Sequence, residues 1–268
     1  GAVSALSLLP DDQHVVSGSW DHSLIVWHMG TGARQAQCTG HSAPVNGVVV
    51  TPDGRFLVSA SDDRSLKVWD ANSGKELRTL HGHGAGVKDC ALAPDGRSIL
   101  SVSEDWTLRQ WDLVTGATLR VFDGHLAPAL SCALTHDGRQ LISASEDKTL
   151  KLWDLGPAHD SSRSDGHVGA VMSCFLVDGG SLLVTSSEDQ TIKLWDPVSG
   201  QVQRTLIGHT DAVSACAPYP DGKRLVSTSP DGTTVVWDLA AGSEILRIVS
   251  SGAARQERSS QPTGAQLA

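Results

Sequence analysis

The chain has 268 residues, and 21 Lys and Arg against 30 Asp and Glu give a formal net charge of −9. That balance argues against direct tracking of a nucleic-acid backbone, which needs a basic face. The sequence has no run of eighteen apolar residues, the length a membrane-spanning helix needs, and Gly1 to Pro10 lacks the basic n-region of a signal peptide. Aromatics are only 4% of the chain, yet Trp accounts for 8 of them against 3 Phe and 1 Tyr. Frequent Gly and recurring Ser-Asp-Gly clusters fit short strands joined by tight turns, rather than a helical bundle or a doubly wound sheet.

From the N-terminus onward, Trp27, Trp69, Trp111, Trp153, Trp195 and Trp237 fall at intervals of 42 residues. Asp follows five of them; His28 follows the first. Gly-His pairs at Gly40-His41, Gly82-His83, Gly124-His125, Gly166-His167 and Gly208-His209 keep the same 42-residue interval. A hydroxyl stands ten residues before each Trp and an Asp six before it. A fixed period of this length marks a repeat architecture. In the second unit Val45–Val50 predicts a strand, Pro52-Asp53-Gly54 a turn, and Phe56–Ser61 a second strand. Asp62-Asp63-Arg64 predicts a tight turn, Leu66–Trp69 a third strand, Asn72-Ser73-Gly74 a turn and Glu76–Leu80 a fourth strand. Four short antiparallel strands bury their faces only against neighbouring copies, which is the logic of a propeller blade.

The paired Gly-His and Trp-Asp signatures at this spacing resemble the WD-repeat β-propeller family over residues 1 to about 249. The expected fold is an all-β propeller of six visible four-stranded antiparallel blades, which either close on one another or belong to a seven-bladed propeller truncated at its start. The first unit has Ser17, Asp21 and Trp27 without a Gly-His partner, and the expectation is that this pair lies upstream of Gly1 in a longer chain. Residues 250–268 are rich in Ser, Gln, Gly and Ala and read as a disordered tail. Gly156 to Asp165 departs from the pattern, so the outer strand of the fourth unit is expected to fray or loop.

The resemblance implies a hydrogen-bonded relay in each blade. Its members are His41, Ser59, Asp63 and Trp69; His83, Ser101, Asp105 and Trp111; His125, Ser143, Asp147 and Trp153; His167, Thr185, Asp189 and Trp195; and His209, Ser227, Asp231 and Trp237. The donor and acceptor inventory of these side chains suits such a chain. Five complete copies, each anchored to a Trp, argue for structure and against a Ser-His-Asp catalytic triad, and no Gly-x-Ser-x-Gly elbow is present. Cys90, Cys132, Cys174 and Cys216 are also 42 apart, one per blade, unlike the close pairs of a zinc site, and read as small buried residues on the innermost strand. An odd cysteine count without a secretion signal points to a cytoplasmic or nuclear setting.

The resemblance also implies docking on the narrower top face. Its candidate residues are Trp20, Asp62, Lys88, Glu104, Trp106, Leu130, Glu146, Met172 and Glu188. Asp62, Glu104, Glu146 and Glu188 would form a one-signed ring beside apolar anchors, suited to a protein or peptide with a basic segment. The bland alternative, that turns favour short acidic residues, stays open at this point. The expected function is a non-catalytic interaction scaffold without cofactor or metal, part of a larger chain or complex. Two alternatives are a sensor or autoinhibitory module of a larger signalling NTPase, and a propeller enzyme using the off-register His14, His22 and His28.

Overall fold

The computed structural model describes residues 1–135, 137–156, 161–219 and 221–249. The expected tail lies outside them. Six four-stranded antiparallel sheets follow one another in chain order, each a meander with its strands in sequence. In the second blade these are Val45–Val50, Phe56–Ser61, Ser65–Asp70 and Glu76–His81, close to the expected spans. Ser65 and Asp70 extend the third strand because their turns close directly onto the ladder, with Asp70 opposite Phe56 and Ser65 opposite His81.

The blades pack face to face. Val48, Leu57 and Trp69 of the second blade meet Leu24, Val26 and Cys38 of the first in one apolar cluster. Leu66, Val68 and Leu80 on its other face meet Val87, Ile99 and Trp111 of the third. Three further clusters repeat the arrangement through to the sixth blade. Blades two to five are therefore slabs buried on both sides, and each buried Leu or Val contributes about 1.5–3 kcal/mol. This explains why the second strands read Leu-Val-Ser-Ala or Ile-Leu-Ser-Val without alternation: a strand covered on both faces has no solvent side.

The fourth blade differs from expectation. Ser161–Asp165 does form the outer strand, pairing from Thr149 opposite Asp165 to Trp153 opposite Ser161. Backbone hydrogen bonding needs no apolar side chain, so a polar segment can still complete the ladder. Cys90, Cys132 and Cys174 sit buried on innermost strands, Cys38 is buried on a fourth strand, and Cys216 is half-buried. Burial pushes the Cys216 thiol up to about 11 and the Cys38 thiol to about 12, so neither is a reactive thiolate at neutral pH.

Candidate functional site

Every complete blade holds the same four-group chain. In the second, Trp69 Nε1 donates to Ser59 Oγ at 2.8 Å. The serine lies 2.6 Å from His41 Nε2, and His41 Nδ1 lies 2.7 Å from Asp63 Oδ2. Blades three to six reproduce it through Trp111, Trp153, Trp195 and Trp237, with every distance between 2.7 and 3.0 Å. The chemistry sets the direction. Indole only donates, so the hydroxyl hydrogen is free for His Nε2, and Nδ1–H then points to the carboxylate. Burial holds His125 and His167 below the usual imidazole range, in keeping with a neutral ring. The Gly of each Gly-His pair is required by close approach: a Cβ at Gly208 would stand 2.9 Å from the Trp237 ring, and one at Gly82 3.0 Å from Trp111.

The relay geometry superficially matches a catalytic triad, but Ser59, Ser101, Ser143, Thr185 and Ser227 are all fully buried. A hydroxyl that already accepts an indole N–H and has no path to solvent cannot reach a substrate. In the first blade Trp27 donates to Ser17 at 2.8 Å, and Asp21 accepts from Ser23.

One set of relay partners escapes the sequence reading. Asp63 Oδ1 accepts from Ser65 Oγ at 2.6 Å, and Thr107, Thr149, Thr191 and Thr233 repeat the contact with their own Asp. The signal was there: a Ser or Thr stands two residues after every relay Asp. Oδ2 also takes the backbone N–H following the His, from Ser42, Gly84, Leu126, Val168 and Thr210. Burial alone would raise the Asp147 pKa, but hydrogen bonds from Thr149, Leu126 N–H and His125 outweigh it and hold the group at about 2.

These carboxylates fix the top turns. The residue after the relay Asp takes a left-handed backbone in each blade: His22, Arg64, Trp106, Lys148 and Gln190 at φ 69–73°, and Gly232 at φ 82°. The residue before it anchors across the turn, with Glu104 N–H to Gly86 O, Glu146 to Pro128 O and Glu188 to Ala170 O, all within 3.0 Å. This places Trp20 and Trp106 in solvent at 60% and 49% exposure. Leu130 and Met172 are half-buried on the same ends of their blades.

The four carboxylates are not equivalent. Lys88 Nζ lies 2.9 Å from Asp62 and 2.7 Å from Glu104, and Asn46 Nδ2 donates to Asp62 at 2.6 Å. Burial would lower the Lys88 pKa, but the Glu104 and Asp62 contacts outweigh it and raise it. Gly86 makes room for this clamp, since a Cβ there would stand 2.7 Å from Asp62 Oδ1. Among the described residues Glu146 and Glu188 have no ion pair. They line a cleft of about 510 Å³ between the fourth and fifth blades together with Lys148, Val168, Gly169, Ala170 and Asp189. Leu126 and Val168, exposed beside it, were missed from sequence. They stand one residue after the Gly-His histidine, a position whose N–H is tied to the relay Asp and whose side chain must point outward.

His14 and His28 meet edge to face at 5.1 Å, and His14 Nδ1 contacts Asp11 Oδ2 at 2.6 Å. Among the described residues no group of three or more His, Cys, Asp or Glu is arranged to hold a metal. Six segments of the chain, residues 1–28, 32–70, 74–112, 116–154, 161–196 and 200–238, match the family described as WD domain, G-beta repeat. A search of curated proteins returns no match. With six repeats in register, six four-stranded blades and five complete His–hydroxyl–Asp–Trp relays, the chain belongs to the WD-repeat family, whose propellers generally serve as protein-interaction scaffolds.

Proposed function

We propose that this propeller is a non-catalytic scaffold whose top face docks a peptide segment carrying a basic residue flanked by apolar ones. The observation that supports it is the inequality of the acidic ring. Lys88 compensates Asp62 and Glu104, while Glu146 and Glu188 keep their charge beside the cleft and the exposed Leu126 and Val168. A lysine or arginine entering there meets two carboxylates that have no ion pair to surrender among the described residues. Trp106, on the neighbouring third blade, offers an aromatic surface of the kind that dominates interface energetics. Asp62, Lys88 and Glu104 then act as a pre-ordered polar rim, and Leu130 and Met172 as its apolar inner border.

The test is a peptide array varying charge and apolar content, followed by kinetics on the best binder. Glu146→Lys with Glu188→Lys is expected to slow association at least tenfold and to flatten its salt dependence. Trp106→Ala is expected to speed dissociation. Binding that ignores all of these substitutions places the docking surface on another face of the propeller.

A further inference from the structure

At the strand ends opposite the top turns, the outer strand of one blade reaches the turn that follows the Trp of the next. Arg78 Nη1 donates to Leu113 O at 3.0 Å and also to Val114 O. Arg120 Nη1 donates to Leu155 O at 2.9 Å and Gly156 O at 3.2 Å, and Arg204 Nη1 to Ala241 O at 2.6 Å. Two residues on, Leu80, Phe122 and Leu206 join the apolar clusters of the same junctions. The first blade has the smaller Ala36 and Cys38 in these positions, both buried against the second. Arg78 and Leu80 stand opposite Val68 and Leu66, and Arg120 and Phe122 opposite Gln110 and Leu108. In the fourth blade the residues opposite Leu152 and Leu150, in the same register, are Ser162 and Ser164.

The junction of the fourth and fifth blades differs accordingly. Among the described residues its apolar cluster contains no outer-strand member, whereas each of the other four clusters does. A cleft of about 440 Å³ opens there over Leu150, Leu152, Leu183 and Trp195 and runs out to the turn at Pro197 and Val198. Pro197 and Val198 correspond to Leu113 and Val114, the acceptors of Arg78, and among the described residues nothing donates to their carbonyls. Asp196 stands at the same mouth. Its counterpart Asp112 is held below the usual carboxylate range by Thr115 and, more weakly, by Arg78; Asp196 is lowered by Ser199 and Val198 N–H with no cation contributing. Lys151 also lines the cleft, but its ammonium lies over the Trp153 ring of its own blade, 5.8 Å from the centroid. We propose that this cleft binds a peptide segment of a partner protein through an arginine and an adjoining apolar side chain. The partner supplies there what Arg78 with Leu80, Arg120 with Phe122 and Arg204 with Leu206 supply from within the chain at other junctions. A guanidinium spans two neighbouring carbonyls, as Arg78 and Arg120 do, and the compact ammonium of lysine lacks that planar fork. The apolar side chain meets the exposed floor of Leu150, Leu183 and Trp195. The site lies at the other end of the strands from the acidic top turns and is independent of docking there.

The probe is a fluorescein-labelled peptide of residues 77–81, which carries Arg78 and Leu80 of the second blade's outer strand. It is titrated against the full chain by fluorescence anisotropy, beside the same peptide with citrulline in place of arginine, which keeps the shape and loses the charge. The arginine peptide is expected to bind, and the citrulline peptide at least tenfold more weakly. Ser162→Arg with Ser164→Leu fills the cleft from within the chain. This pair is expected to raise Tm by roughly 2–4 °C and to abolish binding. Ser162→Arg alone, expected to weaken binding at least tenfold, decides the matter if the pair does not fold. Glu146→Lys with Glu188→Lys, at the top turns, is expected to leave this binding unchanged. Equal binding of the two peptides overturns the guanidinium site and leaves an apolar groove. Binding that survives the filled cleft, or that is lost with the top-turn substitutions, places the peptide elsewhere on the propeller. Failure of the arginine peptide to bind means that the cleft is not a peptide site.

Discussion

At the residue scale, the relay aspartates and Asp89 respond to pH in opposite senses. Asp147 is held at about 2, below its unfolded value, so its contribution is complete above about pH 4 and is lost as pH falls through 2. His125 and His167 are lowered by burial. Their contribution is complete above the unfolded value of about 6.5 and is lost as pH falls towards their folded values. Asp89 stands at the innermost strand, where the other blades carry Ala5, Gly47, Ser131, Ser173 and Ala215. Its Oδ2 accepts from Ser131 Oγ at 3.0 Å and from Cys132 N–H at 3.1 Å, tying the third blade to the fourth. Burial nevertheless pushes it up to about 6, so it takes up a proton on folding and costs stability as pH rises from about 4 to 6. Asp89→Asn is therefore expected to gain on the parent by about 2 kcal/mol between pH 4 and pH 7, read from urea unfolding at each pH. Asp147→Ala at pH 7 is expected to cost about 1–3 kcal/mol, because buried His125 loses its acceptor. Asp123→Ala, at an exposed site, is expected to stay within about 0.5 kcal/mol. Equal losses for Asp147→Ala and Asp123→Ala would remove the relay from the stability account.

At the scale of the element, the top turn couples stability to display. Its left-handed residue is a glycine in the sixth blade and a bulky side chain in the others, Trp106 at φ 71° among them. A tryptophan in that conformation carries strain that glycine does not. Trp106→Gly is thus expected to be neutral or to stabilise by up to about 1 kcal/mol while weakening peptide binding. Calorimetry beside a binding titration separates the two effects. A matching loss of stability would mean that the indole is packed into the fold rather than displayed.

Across the whole molecule, charge is distributed by the packing of one blade on the next. Lys88 bridges Asp62 of the second blade and Glu104 of its own. Lys88→Ala is expected to lower stability by about 1 kcal/mol, an exposed-pair magnitude. The same change leaves Asp62 and Glu104 uncompensated, so it is expected to speed association of a basic peptide at low salt. Stopped-flow rates at two ionic strengths check this, and a slower association would show that Lys88 itself contacts the partner.

The repeat, the blade count and the relay members were all legible in sequence, because a buried hydrogen-bond chain tolerates few residue types and recurs once per blade. The Ser or Thr after each relay Asp was equally periodic, but its role emerges only when the carboxylate's two oxygens are followed to separate partners. The outer strand at Ser161–Asp165 was hidden because backbone pairing leaves no mark on side-chain pattern. The acidic ring shows the larger divide. Sequence determined that Asp62, Glu104, Glu146 and Glu188 share one turn position, since that depends on spacing within a blade. Tertiary structure alone decided that Lys88 pairs with the first two and that the last two have no ion pair among the described residues, because the Lys88–Asp62 contact crosses from one blade to the next.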